Sequence, residues 1–103
     1  VHRGEEAVNS YRLTPAAQRD LSGIWDFTQE RWNAAQAEIY VSEIRAAIER
    51  IAEDPQRGRA CDDIREGYRR YRIGSHLVFY RATACGVDVI RILHQRMDPS
   101  RHM

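Results

Sequence analysis

His76, Tyr80 and His94 are the residues of this chain best suited to moving a proton. Imidazole and phenol groups can act as general acid or base, and cleavage of a phosphodiester also needs cations that stabilise the developing negative charge. The arginines that could supply these cations are Arg81, Arg91 and Arg96. The inventory is sufficient for phosphoryl chemistry, but no spacing among these residues defines a catalytic arrangement.

The two histidines have a simpler interpretation. His94 ends a predicted strand, where a surface histidine is commoner than a catalyst, and His76 follows a turn and is expected to be solvated. We therefore predict no catalytic residue. Cys61 and Cys85 lack the CxxC spacing of a zinc site and are expected to be reduced thiols. Without a phosphate-cradling glycine loop or a cluster of metal ligands, the sequence predicts no cofactor and no metal.

A predicted β-hairpin over residues 68–81, YRRYRIGSHLVFYR, positions most of these groups. Gly74 and Ser75 form its turn, because glycine supplies a positive φ and the flanks are rich in residues that favour strands. This turn pairs Ile73 with His76 and sets the pairs beyond them. The face expected in the core carries Arg69, Tyr71, Ile73, His76, Val78 and Tyr80. The opposite face, expected to expose apolar and cationic groups to a partner, carries Tyr68, Arg70, Arg72, Leu77, Phe79 and Arg81.

Two amphipathic helices are predicted before the hairpin. Thr14 is a candidate N-cap ahead of Pro15, and Asn33 is the candidate N-cap of the second helix, which Asp54 and Pro55 end. Helices joined so closely form an antiparallel hairpin. The predicted core stripes are Leu21, Ile24, Trp25, Thr28 and Trp32 in the first helix and Ala37, Tyr40, Val41, Ile44, Ile48 and Ile51 in the second.

The remaining segments complete an α+β fold. Residues 11–14 and 87–93 are predicted strands, and the polar stretch 56–67 is predicted to be an irregular loop. The order β-α-α-β-β-β gives two layers, with the helical hairpin packed on a small, mainly antiparallel sheet. We assign the domain to residues 10–98, with a disordered lead-in or cloning remnant at 1–9 and a tail at 99–103.

The charge of the chain is divided unevenly along its length. The 103 residues carry a net charge of +1, but residues 1–54 hold 6 Arg against 10 acidic groups and residues 55–103 hold 10 Arg against 5. The second half is therefore a basic lobe. No apolar run is long enough to span a membrane and the first residues lack the apolar core of a signal peptide, so we expect a cytoplasmic protein.

Four pieces of the sequence then stand out together: YRLTPAAQRDLSGIWDFT, DPQRGRACDDIREGYRRYRIG, SHLVFYR and VIRILHQRMD. In order and spacing they resemble the ParE toxins of bacterial type II toxin–antitoxin systems, within the RelE/ParE superfamily. The resemblance extends from Tyr11 to Asp98, and it is the combination of pieces rather than any single one that is specific.

The resemblance implies a toxin that poisons DNA gyrase and is neutralised by a ParD-like antitoxin in a hetero-oligomer. Operator DNA would be bound only through the antitoxin, and no membrane is involved. For the antitoxin we expect an extended, partly acidic segment that crosses the basic lobe. The residues expected to bind it are Arg70, Arg72, Leu77, Phe79 and Arg81. The residues expected to bind the target are Arg91, His94 and Arg96.

The alternative is the branch that resembles RelE and YoeB, which are ribosome-dependent ribonucleases that cut mRNA. In that case His94, Tyr80 and Arg81 would be the catalytic residues. Those ribonucleases typically carry an arginine at the position where this chain has Leu77, so a phosphate ligand is missing. A plain nucleic-acid-binding module is a weaker alternative, because the net charge is close to neutral. The sequence therefore favours a toxin that binds its target over an enzyme.

Overall fold

The structure is a computed structural model that describes residues 10–103, so the predicted lead-in at 1–9 lies outside the described part of the chain. The helices are α1 (Pro15–Arg31) and α2 (Ala34–Glu53). The strands are β1 (Ser10–Leu13), β2 (Arg59–Ala60), β3 (Tyr68–Ile73), β4 (His76–Ala82) and β5 (Gly86–His94). Short 3-10 turns lie at Pro55–Arg57 and Pro99–Arg101.

Both predicted N-caps are present. The Thr14 hydroxyl accepts a hydrogen bond from the backbone N–H of Ala17 at 3.0 Å, and the Asn33 side chain accepts one from Gln36 at 2.8 Å. These bonds satisfy N–H groups that the first turn of a helix leaves without a partner. The connection between the helices is short enough to fold α1 and α2 against each other as the predicted hairpin. Within residues 10–103, no helix is both long and apolar enough to cross a membrane.

The five strands form one mixed sheet in the order β1-β5-β4-β3-β2. Only β1 runs parallel to its neighbour, while the other pairs are antiparallel. The predicted register of the β3–β4 hairpin is confirmed at every pair from Tyr68–Arg81 to Ile73–His76, and Gly74 has the positive φ that the turn requires, 58°. The segment 56–67, predicted to be irregular, contains the two-residue strand β2 at the edge of the sheet.

The main core lies between the helical hairpin and one face of the sheet. Ile44, Ile48 and Ile51 are fully buried there, as predicted, against Val78 and Tyr80 of β4. The prediction for Trp32 was wrong, because its side chain is 68 % exposed. α1 ends at Arg31, so the helical spacing that placed Trp32 on the buried stripe no longer applies to it.

A second, smaller cluster fills the opposite face of the sheet, and it overturns the predicted exposure of Phe79. Phe79 is only 1 % exposed because Cys61 and Leu93 pack beside it. Four partly buried residues complete the cluster, namely Ile64, Tyr68, Leu77 and Met103. The expected tail therefore lies against the sheet, where the backbone carbonyl of His102 accepts a hydrogen bond from Arg91.

Replacing Ile48 with Ala should lower the free energy of unfolding by about 2–5 kcal/mol, because the fully buried side chain leaves a cavity. Urea unfolding monitored by circular dichroism measures the change. Ile39→Ala is the matched control, since Ile39 lies on the same helix but is 51 % exposed. Equal losses in the two variants would contradict the assignment of the core.

Candidate functional site

The residues that a ribonuclease would need are not brought together. Tyr80 is fully buried, and its hydroxyl donates to the carbonyl of Pro55 and accepts from the N–H of Gly58, both at 2.8 Å. Burial raises the pKa of Tyr80, which further opposes ionisation. Arg81 is the next residue on β4 and therefore points to the opposite face, where it pairs with Asp88 at 3.4 Å. Tyr80 and Arg81 cannot face one substrate.

His76 is half-buried rather than solvated, so that prediction was wrong. Its Nδ1 lies 2.7 Å from the hydroxyl of Tyr40. That hydroxyl also accepts a hydrogen bond from the N–H of Ser75 and lies 3.4 Å from the carbonyl of Ile73, which can accept its proton. Burial, followed by the proximity of His94, lowers the pKa of His76 to about 4. The imidazole is therefore neutral at physiological pH.

His94 completes this pair at the end of β5. Its ring meets that of His76 edge to face, with 5.3 Å between the centroids. Its Nδ1 accepts a hydrogen bond from the backbone N–H of Arg96 at 3.1 Å. Each Nδ1 therefore has a hydrogen-bond partner within the protein. Among residues 10–103, His, Cys, Asp and Glu form no group of three or more that could hold a metal ion.

Arg91, a predicted target contact, is held by a residue that sequence reasoning missed. Asp20 of α1 binds the guanidinium through both carboxylate oxygens, at 2.8 and 2.9 Å, and also accepts from the N–H of Ile92 at 2.9 Å. This bond raises the pKa of Arg91. Because β1 ends at Leu13, Asp20 supplies the hydrogen-bond acceptor that the sheet no longer provides to β5. No sequence signal links two residues this far apart in the chain.

The predicted antitoxin-binding residues lie on the back of the sheet, away from the helices. Arg70 of β3 stands directly opposite Arg59 of β2, and neither forms an ion pair with another residue in the described part of the chain. Like charges in opposite positions destabilise a strand pair unless an anion joins them. Arg72 is exposed and donates to the carbonyl of Gly74 at 3.1 Å, while Leu77 is half-buried. We call Arg59, Arg70, Arg72 and Leu77 the arginine strip.

The predicted site residues are thus divided among several places. Arg70, Arg72 and Leu77 share the arginine strip, Phe79 is buried beneath it and Arg81 pairs with Asp88. Arg91 is held by Asp20, and His94 lies with His76 at one end of the sheet. Arg59 was missed because β2 was expected to be loop; its alignment with Arg70 depends on the chain path between Pro55 and Gly67.

The two-layer fold has a counterpart among the solved structures. It is similar to a solved structure described as the chromosomal ParDE toxin–antitoxin system from Pseudomonas aeruginosa, with a TM-score of 0.72 over 85 % of this chain and 97 % of that one. The sequence identity is 18 %, so this likeness concerns the fold alone.

Sequence comparisons show the family to which the chain belongs. Residues 11–99 match the family described as ParE toxin of type II toxin–antitoxin system, parDE. Toxin ParE1 of Mycobacterium tuberculosis is 54 % identical over 94 residues, which cover 90 % of this chain and 96 % of that protein. Toxin ParE1 of Caulobacter vibrioides is 45 % identical over 93 % of this chain and 99 % of its own, and Toxin ParE of Escherichia coli is 33 % identical over 88 % and 89 %. The chain belongs to the ParE toxin family.

His76 should make the stability of the fold depend on pH in the acid range. Its pKa is about 4 in the folded state against 6.5 in the unfolded chain, so the unfolded state binds more protons between these values. Stability should be unaffected by this group above pH 6.5 and should fall as the pH drops towards 4. Because the ring is partly exposed, we expect a loss of about 1–2 kcal/mol.

Urea unfolding of the wild type and of His76→Gln between pH 7.5 and 4 measures this contribution as the difference between the two curves. His102→Gln is the control, because the side chain of His102 is exposed. A difference between wild type and His76→Gln that does not change with pH would contradict the neutral, buried assignment.

Proposed function

We propose that this member of the ParE family poisons DNA gyrase by binding it, without chemistry of its own, and that a ParD-like antitoxin neutralises it. The proposal that the toxin acts without catalysis rests on the position of Tyr80. Its hydroxyl is bonded on both sides in the core, and Arg81 lies on the opposite face of the sheet. A general acid or base must reach the reacting proton, and a phenol enclosed in this way does not.

The position of Leu77 supports the same conclusion. Removing one charge-stabilising donor from an active site typically costs about 2.7–4 kcal/mol of transition-state stabilisation. Leu77 stands where the ribonuclease branch carries an arginine, and its side chain packs with Phe79 and Leu93 on the back of the sheet. Cleavage of mRNA would therefore lack Tyr80 as an acid–base group and one phosphate ligand.

A poison that acts by binding needs only a surface with higher affinity for one conformation of its target than for the others. Gyrase passes through several conformations in its supercoiling cycle, and trapping one of them stops the cycle. The toxin would then meet gyrase and the antitoxin in the cytoplasm, where we expect this chain to act. Contact with operator DNA would occur only through the antitoxin.

For the antitoxin, the arginine strip is the proposed contact. A carboxylate between Arg59 and Arg70 would relieve their repulsion, and an apolar side chain beside it would cover Leu77. An extended segment that becomes ordered on binding must bury apolar area as well as pair charge. Phe79 is already covered by Met103 and its neighbours, so it would support Leu77 from below rather than touch the partner.

Arg70→Glu and Leu77→Ser should each weaken the complex with the co-expressed antitoxin by about 10–100-fold in Kd, because the first replaces attraction with repulsion and the second removes an apolar contact. Isothermal titration calorimetry measures the affinity. Arg50→Glu is the charge control, since Arg50 is exposed on α2, which packs on the other face of the sheet. Unchanged affinity in both variants would mean that the antitoxin binds elsewhere.

The function itself is tested by a pair of assays with purified toxin. We expect inhibition of gyrase supercoiling or accumulation of cleaved gyrase–DNA complexes, and no cutting of mRNA on translating ribosomes. The physical reason is that binding can trap gyrase while the groups for phosphodiester cleavage do not converge. Ribosome-dependent cutting that is abolished by His94→Ala would establish the ribonuclease alternative instead.

A further inference from the structure

A groove runs between α1 and the end of the sheet where the β3–β4 turn meets the last residues of β5. One wall is a row of residues spaced four apart on α1, namely Arg19, Gly23, Phe27 and Arg31. The other wall contains the histidine pair and Met97, and Trp32 follows Arg31 at the end of α1. We call this feature the hairpin groove. It consists of two adjoining hollows of about 520 and 430 Å³ that share Phe27 and both histidines.

The apolar side chains of the hairpin groove are unusually open to solvent. Phe27 is 63 % exposed, Trp32 68 % and Met97 45 %. Single exposed apolar residues are ordinary, but three large ones around one concave surface are the composition of an interface, where aromatic residues and methionine are enriched. The fold buries its other aromatic side chains more deeply, so this cluster is available to a partner.

Gly23 independently indicates that the backbone of a partner comes close to this wall of α1. It lies in the interior of the helix, where glycine costs roughly 1 kcal/mol relative to alanine. A β-carbon added there would meet nothing within 4 Å, and the backbone has no positive φ that would require glycine. The fold therefore gives no reason for glycine. Its effect is a dip in the row between Arg19 and Phe27, which allows another backbone to come close.

We propose that the hairpin groove is the surface through which this toxin docks on its target, and that it takes an amphipathic α-helix of the target with acidic residues near both ends of an apolar face. The inference rests on the proposed function, in which the toxin acts by binding. It adds the location of the contact and the chemistry of what is bound.

The groove favours a helix over a strand because several backbone N–H groups along it already have acceptors within the protein. The N–H of Ser75 donates to Tyr40, that of Gln95 to the carbonyl of Ser75, and that of Arg96 to His94. A strand needs unpaired N–H and C=O groups beside it, whereas a helix satisfies its own. Each hollow has room for an anchoring side chain or two, and their adjacency matches apolar residues on successive turns of a helix.

The preference for acidic ends follows from the charges along the groove. Arg19 and Arg31 stand at opposite ends of the row, about 18 Å apart along the helix axis. Neither forms an ion pair with a residue in the described part of the chain. Asp20 is the single carboxylate that lines the two hollows, and it is bound to Arg91 and Ile92. The groove therefore presents unpaired cations to a partner.

The location of the groove favours the target rather than the antitoxin as its occupant. The arginine strip, the proposed antitoxin contact, lies on the back of the sheet. The hairpin groove lies on the helix side, at the end of the sheet. It includes His94, which the resemblance to ParE toxins led us to expect as a target contact. Two partners can thus be recognised by two separate surfaces.

Gly23→Gln is the decisive variant. Glutamine is a better helix former than glycine, so the fold should be at least as stable, but its side chain fills the dip and obstructs the groove. Ser42→Gln introduces the same side chain on the exposed face of α2 and serves as its control. Trp32→Ser removes an anchor of the groove, and Ile39→Ser, which also truncates an exposed apolar residue, is its control.

Each variant is induced in bacterial cells without the antitoxin, and growth arrest is scored. The purified proteins are compared in urea unfolding and in calorimetric titration with the co-expressed antitoxin. We expect Gly23→Gln and Trp32→Ser to lose growth arrest and to bind purified DNA gyrase at least about tenfold more weakly. Their stability and their affinity for the antitoxin should equal those of their controls.

Growth arrest by either groove variant at the wild-type level would overturn the inference. Loss of antitoxin affinity with growth arrest retained would overturn it as well, because the antitoxin would then be the occupant. Growth arrest does not depend on which enzyme is attacked. A negative gyrase assay would therefore refute gyrase as the target without affecting the growth-arrest result. A groove variant that stays toxic would refute the groove as the docking surface without affecting the proposal that gyrase is the target.

Discussion

The hydroxyl of Tyr80 fixes the segment that joins α2 to β2. The position of Arg59 opposite Arg70 in the basic lobe depends on this segment. Buried among the isoleucines of α2, Tyr80 reaches out of the core to bind the carbonyl of Pro55 and the N–H of Gly58. Arg69 adds a hydrogen bond to the carbonyl of Gly58 at 2.7 Å. The chain leaving α2 is thereby fixed in the one path that brings Arg59 opposite Arg70. A side chain whose type suggests catalysis thus anchors the segment that carries Arg59 of the arginine strip, and its desolvation is offset by two hydrogen bonds to the backbone.

Asp20 performs a comparable task on the other side of the molecule. It joins α1 to β5 where the short strand β1 has ended, and it leaves the arginines at the ends of the same helix face without a competing carboxylate. The two anchors therefore determine which cations are engaged inside the protein and which stay available. Under the proposed function, a toxin that acts by binding would use the available cations to select its partner.

Much of this fold could be predicted from sequence because its determinants are local. The hairpin register follows from Gly74 and the alternation around it, and the helix boundaries follow from Thr14, Asn33 and Pro55. The failures concern contacts between distant segments. Phe79 is buried by residues from the loop before β3 and from the end of the chain, which no periodicity on β4 indicates. Trp32 fits the helical spacing, yet the helix stops one residue earlier. For the candidate site, the arginines of β3 could be named from alternation alone, but Arg59 and Asp20 depend on tertiary pairing.

The strand order has a consequence for how the protein is made. β5 lies between β1 and β4, so β1 has no neighbour in the sheet until β5 is synthesised. Ser10 pairs with Gly86, whose missing side chain leaves room for the backbone of Ser10. Contacts this distant in sequence form late, because the chain must first close a long loop. On the ribosome, the helical hairpin emerges with its apolar stripe still uncovered by β5, and both the histidine pair and the Asp20 link are incomplete. The nascent chain can therefore complete this fold only after β5 has been synthesised, and an antitoxin that is already present can bind it from then on.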